Sequence, residues 1–107
     1  MGANFAWGIV NADGSMISRG SGDWSAFRQS TGVYRVTLRQ PASNMAVVAS
    51  GYRLTSSPSA NDVAQDNTYT TRILNEEAFE VYSYDTGQEE QGKPQDAAFS
   101  FIAIWSL

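Results

Sequence analysis

Hydrophobic and polar residues alternate along most of this 107-residue chain, in short stretches separated by Gly, Asn, Asp and Pro at intervals of about ten residues. Because successive side chains on a strand point to opposite faces, this alternation predicts strands that bury one face. Regular turn signals between short strands are typical of a sandwich. We expect an all-β domain: an antiparallel two-sheet sandwich, jelly-roll-like, with about eight strands. The predicted strands are 5–10, 16–19, 23–28, 33–39, 45–54, 67–74, 78–85 and 97–105.

The last predicted strand, 97–105, is apolar on both of its faces. One row contains Phe99 and Phe101, and the row on the opposite face contains Ile102 and Ile104. A small sandwich has one interior, which can take only one of these rows, so the other stays exposed unless a partner covers it. Because identical chains commonly cover such surfaces through closed rotational symmetry, we predict an oligomer interface that includes Ile102 and Ile104.

The composition excludes several kinds of chemistry. The chain contains neither cysteine nor histidine, which excludes disulfides, cysteine nucleophiles and histidine-based catalytic arrangements. Its formal net charge is −4, from 11 acidic and 7 basic residues, whereas non-specific nucleic-acid binding requires a basic surface. We therefore expect a protein that is not an enzyme, uses no cofactor or metal ion, and has no nucleic-acid partner.

The whole chain, residues 1–107, is predicted to form a single domain, because its length suits one domain and it contains no linker or internal repeat. No apolar run reaches the ~18 residues that suggest a membrane-spanning segment, so we expect no membrane insertion. The N-terminus has no positively charged start followed by an apolar core, which argues against a signal peptide. We expect synthesis in the cytoplasm without one.

Two polar loops, 55–66 and 86–96, are where we expect ligand contacts, because binding residues concentrate on loops held by a rigid scaffold. Their acids could bind Ca²⁺ through carboxylate oxygens, or supply a carboxylate pair for glycoside hydrolysis. Solvated surface charge is the favoured interpretation of these acids. The candidate ligand-binding residues are Asn61, Asp62, Tyr69 and Gln88.

The aromatic residues divide between a predicted core and a predicted surface. Tyr82 and Tyr84 share one face of their strand with Glu80. Exposed tyrosines can stack on sugars, but tyrosine is also enriched at interfaces between subunits, and we favour the second interpretation. Tyr82 and Tyr84 therefore join the predicted oligomer interface. The aromatic residues predicted to lie in the core are Trp7, Trp24, Tyr34, Phe79, Phe99, Phe101 and Trp105.

Outward rows of the predicted strands also carry arginines. These could pair with Glu80 or Asp85 across strands or subunits, where an ion pair contributes roughly 0.2–1 kcal/mol. A site for phosphate or an anionic glycan is the alternative interpretation. The arginines are Arg35, Arg39, Arg53 and Arg72.

Several turn and strand motifs follow one another along the chain, at Val10–Ser15, Gly20–Trp24, Ser30–Leu38, Ala46–Ala49 and Asp96–Ile104. Their order resembles that of small β-sandwich domains at the C-terminal ends of bacteriophage tail fibres and related phage-derived surface proteins. The resemblance implies a homotrimeric tip domain that attaches a fibre to a cell-surface receptor, a glycan or a protein, and is part of a virion or an extracellular surface structure. It implies no catalytic residues.

Two other functions stay open from the sequence. One is a small stand-alone, lectin-like binding protein that acts as a monomer or dimer, and the other is a glycan-active hydrolase. The mass of the assembly in solution separates the first from a trimeric tip domain. The hydrolase requires two acids to converge, which the sequence does not show.

Overall fold

The computed structural model describes residues 4–52, 67–85 and 92–106, and these residues form strands and turns without a helix. The all-β prediction is confirmed, and each of the eight predicted strands has a counterpart. A ninth, two-residue strand lies within the predicted loop 86–96. The strands are β1 (Phe5–Val10), β2 (Met16–Ser21), β3 (Trp24–Ser30), β4 (Val33–Leu38), β5 (Ser43–Gly51), β6 (Asn67–Asn75), β7 (Ala78–Asp85), β8 (Lys93–Pro94) and β9 (Phe99–Ser106).

The strands form two antiparallel sheets, which confirms the predicted two-sheet sandwich. Sheet A has the order β2-β1-β9-β5, and sheet B has the order β3-β4-β7-β6 with β8 paired to the end of β7. The pairs β1–β2, β3–β4 and β6–β7 are hairpins within one sheet, whereas the chain changes sheets after β2, β4, β5 and β8. The first and last strands are neighbours, so β9 lies in the middle of sheet A.

The core lies between the sheets and is dominated by aromatic rings. Phe101 of β9 contacts the ring of Trp24 edge-on at 4.9 Å and the ring of Phe79 at 5.4 Å between centroids. These geometries are the ones aromatic pairs prefer. The predicted core aromatics that are buried as expected are Trp24, Tyr34, Phe79, Phe99, Phe101 and Trp105.

The prediction for Trp7 is wrong, because Trp7 lies on the outer surface of sheet A with 39% of its area exposed. Strand β1 instead buries Ala6, Gly8 and Val10. The reason is the ring of Trp24, which crosses the interior over Gly8 so closely that a Cβ there would lie 1.9 Å from a ring carbon. Only the row of small residues of β1 fits beneath that ring, so the large row faces outward.

The two internal segments outside the described residues, 53–66 and 86–91, are bounded by residues at the same end of the sandwich, which we call the loop end. There Gly51 pairs with Phe99, and Asn67 pairs with Asp85. At the opposite end, the side-chain amide of Asn4 donates to the carbonyl of Trp105 at 2.8 Å. The described ends of the chain are therefore separated from the loop end by the length of the strands.

A buried hydroxyl joins three segments at the loop end. The Tyr34 hydroxyl donates to the carbonyl of Ala12 at 2.7 Å and accepts from the amide of Ala97 at 3.1 Å. Burial raises the pKa of Tyr34 to about 12, so the hydroxyl stays protonated and can donate. Nearby, the Asp96 carboxylate accepts from the amide of Gly32 at 2.7 Å. The turns after β1 and β3 and the start of the β9 segment are thus tied together.

We expect Tyr34→Ala to lower the free energy of unfolding by ~3–5 kcal/mol, because it removes a fully buried aromatic ring. Tyr34→Phe keeps the ring but leaves the Ala12 carbonyl and the Ala97 amide without their partner, and should cost ~1–3 kcal/mol. Thr37→Ala, on the outer face of the same strand, is the control and should cost less than either. Urea unfolding measures all three. Equal losses for Tyr34→Ala and Thr37→Ala would mean that the faces of β4 are reversed.

Candidate functional site

The outer surface of sheet A carries a contiguous group of large apolar side chains, which we call the apolar face. It consists of Phe5, Trp7, Val48, Ile102 and Ile104. Trp7 pairs with Ile102, which pairs with Val48 on its other side, and Phe5 pairs with Ile104. Directly paired side chains on one face of a sheet lie within contact distance of each other. The five side chains therefore form one surface across three strands.

The apolar face is exposed and uncharged. Ile102 is 45% and Ile104 is 53% exposed, so the prediction that this row of β9 lies outside the core is confirmed. Strands β1, β5 and β9 contain no Asp, Glu, Lys or Arg. Scattered single apolar residues on a surface are ordinary, but a contiguous apolar patch is typical of an interaction site.

Two shallow depressions flank Ile102. The first has a volume of about 460 Å³ and the second about 520 Å³. Neither lining includes Asp, Glu, Lys or Arg, so the chemistry available is burial of apolar area, with hydrogen bonding by hydroxyls in the first depression and by the amide of Asn4 in the second. The first depression is lined by Trp7, Ile9, Val48, Ser50, Tyr52, Ser100, Phe101 and Ile102, and the second by Asn4, Phe5, Ile102, Ile104 and Trp105.

The position of Trp7 depends on a glycine in the neighbouring strand. Gly20 has φ of +61°, and a Cβ there would lie 2.3 Å from the Trp7 carbonyl oxygen and 2.6 Å from its ring. Glycine is the residue that reaches this backbone conformation without strain. It lets the backbone of β2 approach the side of the Trp7 ring, which supports the ring at the surface.

The outer surface of sheet B is different, because it carries a buried charge. Glu80 is only 8% exposed. Its carboxylate accepts hydrogen bonds from the Tyr82 hydroxyl at 2.5 Å and from the Gln29 amide at 2.6 Å, and Arg72 approaches to 3.7 Å. Arg35 on β4 is the cross-strand partner of Glu80, and we call these five residues the Glu80 cluster. The hydrogen bond from Tyr82 is the largest cause that lowers the pKa of Glu80, and the one from Gln29 is the next.

The predicted interface residues lie on two opposite surfaces. Ile102 and Ile104 are part of the apolar face of sheet A, whereas Tyr82 and Tyr84 lie on the outer surface of sheet B beside Glu80. One flat interface cannot contain both pairs. Sequence reasoning missed Phe5 and Trp7 of β1 and Val48 of β5, although the absence of charge from both strands is a signal that could have found them.

The predicted pairing of arginines is observed in part. Arg72 approaches Glu80 as predicted, whereas Arg39 approaches Asp23 at 3.8 Å. Arg53 lies outside the described residues. Arg28, which the prediction did not include, makes an ion pair with Asp96 at 2.9 Å.

The predicted ligand-binding residues are mostly outside the described part of the chain. Asn61, Asp62 and Gln88 lie in segments 53–66 and 86–91, so their ligand contacts stay a prediction. Tyr69 is described, and its ring packs against the core while its hydroxyl donates to the carbonyl of Ala98 at 2.9 Å. Burial raises the pKa of Tyr69. Both its ring and its hydroxyl are thus already engaged within the fold.

The described part of the chain contains neither a metal-binding cluster nor a membrane-spanning helix. Within 4–52, 67–85 and 92–106, no group of three or more acids could hold a metal ion. In the same ranges there is no helix of the length and hydropathy needed to cross a membrane. No family model, no curated protein and no solved structure matches the chain. The functional interpretation therefore depends on the two outer surfaces of the sandwich.

The lowered pKa of Glu80 predicts a dependence of stability on pH. A carboxyl group whose pKa is lower in the folded state than in the unfolded state stabilises the fold at pH values above the ordinary pKa of 4.5. This stabilisation is lost as the pH falls through the folded-state pKa. We expect Glu80→Gln to be less stable than the parent protein at pH 7, with a difference that shrinks as the pH falls below 4.5. Urea unfolding across this pH range measures the effect. A difference that stays constant with pH would contradict the assignment.

Proposed function

We propose that the protein is a non-enzymatic, homotrimeric receptor-binding domain. In this proposal the apolar face of sheet A packs against copies of the same chain, and the assembly recognises a cell-surface receptor such as a glycan. Such a domain would belong to a virion or another extracellular surface structure. The observation that carries the proposal is the contiguous, uncharged apolar face on the outside of sheet A.

The gain from covering the apolar face supports an assembly. Full burial of a large apolar side chain is worth roughly 1.5–3 kcal/mol relative to exposure. Ile102 and Ile104 are about half exposed in the single chain, so roughly half of this gain is still available at each. Five side chains of this kind lie together, which gives an assembly several kcal/mol to set against the entropic cost of association.

A second copy of the chain suits this face because neither surface brings charge to the contact. The chain has a net charge of −4, and contacts between acidic surfaces of identical chains are repulsive. A contact through β1, β5 and β9 avoids this repulsion, since those strands are uncharged. A single self-complementary face is also compatible with a two-fold dimer. The proposal of three copies therefore rests on the resemblance to fibre tips.

The difference between the two ends of the sandwich supports the proposal that the protein binds a receptor. The described ends of the chain lie at one end of the sandwich, and the strands that flank the two long segments meet at the loop end. Loops that join the strands of a rigid scaffold are a common place for recognition.

Light scattering tests the assembly. We expect the unmodified protein to show three times the chain mass of 11.7 kDa, and Ile102→Asp with Ile104→Asp to show the mass of one chain, because the carboxylates make burial of this face unfavourable. Phe27→Asp is the matched control, because Phe27 is 51% exposed on sheet B, and it should leave the mass unchanged. Near-ultraviolet dichroism verifies that each variant is folded.

The outcomes of this measurement are distinct. A dimer would support self-association through the apolar face and contradict the trimer. A monomer of the unmodified protein at micromolar concentration would contradict the proposal, because the face would then be exposed without a partner copy.

A further inference from the structure

Two tyrosines form an aromatic strip on the outer surface of sheet B. The rings of Tyr82 and Tyr84 lie parallel within 6°, with centroids 6.3 Å apart, because the two residues follow one another on the same face of β7. The Tyr82 hydroxyl donates to the carboxylate of Glu80 at 2.5 Å, which fixes the orientation of its ring. Both rings are half-buried, so part of each stays open to a ligand.

The strip adjoins an excess of positive charge. Glu80 pairs with Arg35 on one side and with Arg72 on the other, so two guanidinium groups flank one carboxylate. The Arg35 Nε is buried and has no hydrogen-bond partner within the described part of the chain. Arg72 approaches Glu80 only to 3.7 Å, and its side chain is 69% exposed. The Arg72 guanidinium also interacts with the Tyr82 hydroxyl, which leaves its other donors available to an anion.

Hydroxyl groups complete this surface. Thr70 on β6 is the cross-strand partner of Tyr82, and Thr68 is the partner of Tyr84. Paired side chains on one face of a sheet lie close enough to contact the same ligand. An aromatic strip, a row of hydroxyls and an exposed guanidinium thus lie side by side along β6 and β7.

We propose that this surface binds an acidic sugar, a pyranose that carries a carboxylate. The apolar face of the sugar ring packs on Tyr82 and Tyr84, which offer apolar area with polar tips. The carboxylate accepts hydrogen bonds from the guanidinium of Arg72, which presents donors in a fork that matches a carboxylate. The inference rests on the receptor-binding part of the proposed function and names the chemistry of its ligand.

A single-stranded nucleic acid would use related chemistry, since bases stack on aromatic rings and phosphates pair with arginine. That class of ligand needs a basic surface along its backbone, and the chain has a net charge of −4. The observations therefore favour a ligand with a single anionic group beside a ring, and a nucleic acid becomes an outcome of the test.

Titration followed by nuclear magnetic resonance tests the site, with methyl β-glucuronide as the probe and methyl β-glucoside as its neutral counterpart. We expect the glucuronide to shift the signals of Tyr82, Tyr84 and Arg72. It should bind about tenfold or more tightly than the glucoside, because a hydrogen bond between charged groups is stronger than one to a neutral hydroxyl. Arg72→Gln should weaken glucuronide binding about tenfold for the same reason.

Matched variants separate the roles. Arg39→Gln removes the same charge at the far end of β4, beside Asp23, and should leave glucuronide binding unchanged. Tyr82→Phe keeps the ring and should bind within a few-fold of the parent, whereas Tyr82→Ala removes the stacking surface and should lose binding.

Three results would overturn the inference: no shift with either sugar, equal affinity for both, or glucuronide binding that Arg72→Gln leaves unchanged. Tighter binding of an oligothymidylate than of the glucuronide would assign the surface to nucleic acid instead. The proposed assembly is tested separately, because Ile102→Asp with Ile104→Asp changes the mass and should leave the sugar site of sheet B intact.

Discussion

The packing of Phe99 and Phe101 into the interior is the interaction on which the rest of this fold depends. Phe101 contacts Trp24 and Phe79 from the opposite sheet, and Phe99 contacts Tyr34, whose hydroxyl ties the loop end together. Because successive side chains on a strand face opposite ways, fixing this row inside forces the isoleucines of β9 outside. The same packing that makes the core stable therefore produces the apolar face.

The two outer surfaces of the sandwich differ in chemistry, and a different function is proposed for each of them. Sheet A is uncharged across β1, β5 and β9, which suits burial against an identical chain. Sheet B holds a carboxylate between two arginines, with a tyrosine fixed beside it, which suits a small polar ligand. The two proposals therefore place assembly and recognition on opposite sides of the sandwich, so a change on one side need not disturb the other.

The sequence predicted local features well and long-range ones poorly. Period-two alternation located the strands and most core residues, because that signal is carried by neighbours in sequence. The orientation of β1 could not be predicted, since it depends on the Trp24 ring lying over Gly8 from another sheet. Strand β5 is irregular at Asn44, where φ is 56°, and the alternation of its residues does not reveal this. The alternation of residues does not show which strands share a sheet. The sequence therefore could not show that Tyr82 and Ile102 lie on different sheets.

Reactivity of a single introduced thiol tests most directly whether copies of the chain cover the apolar face. The chain has no cysteine, and Ile104 and Phe27 are matched in the single chain at 53% and 51% exposure. If copies of the chain cover this face, Ile104→Cys reacts with a maleimide more slowly than Phe27→Cys at micromolar concentration, and dilution to dissociated chains removes the difference. Equal rates at every concentration, with both variants folded, would contradict burial of the apolar face in an assembly.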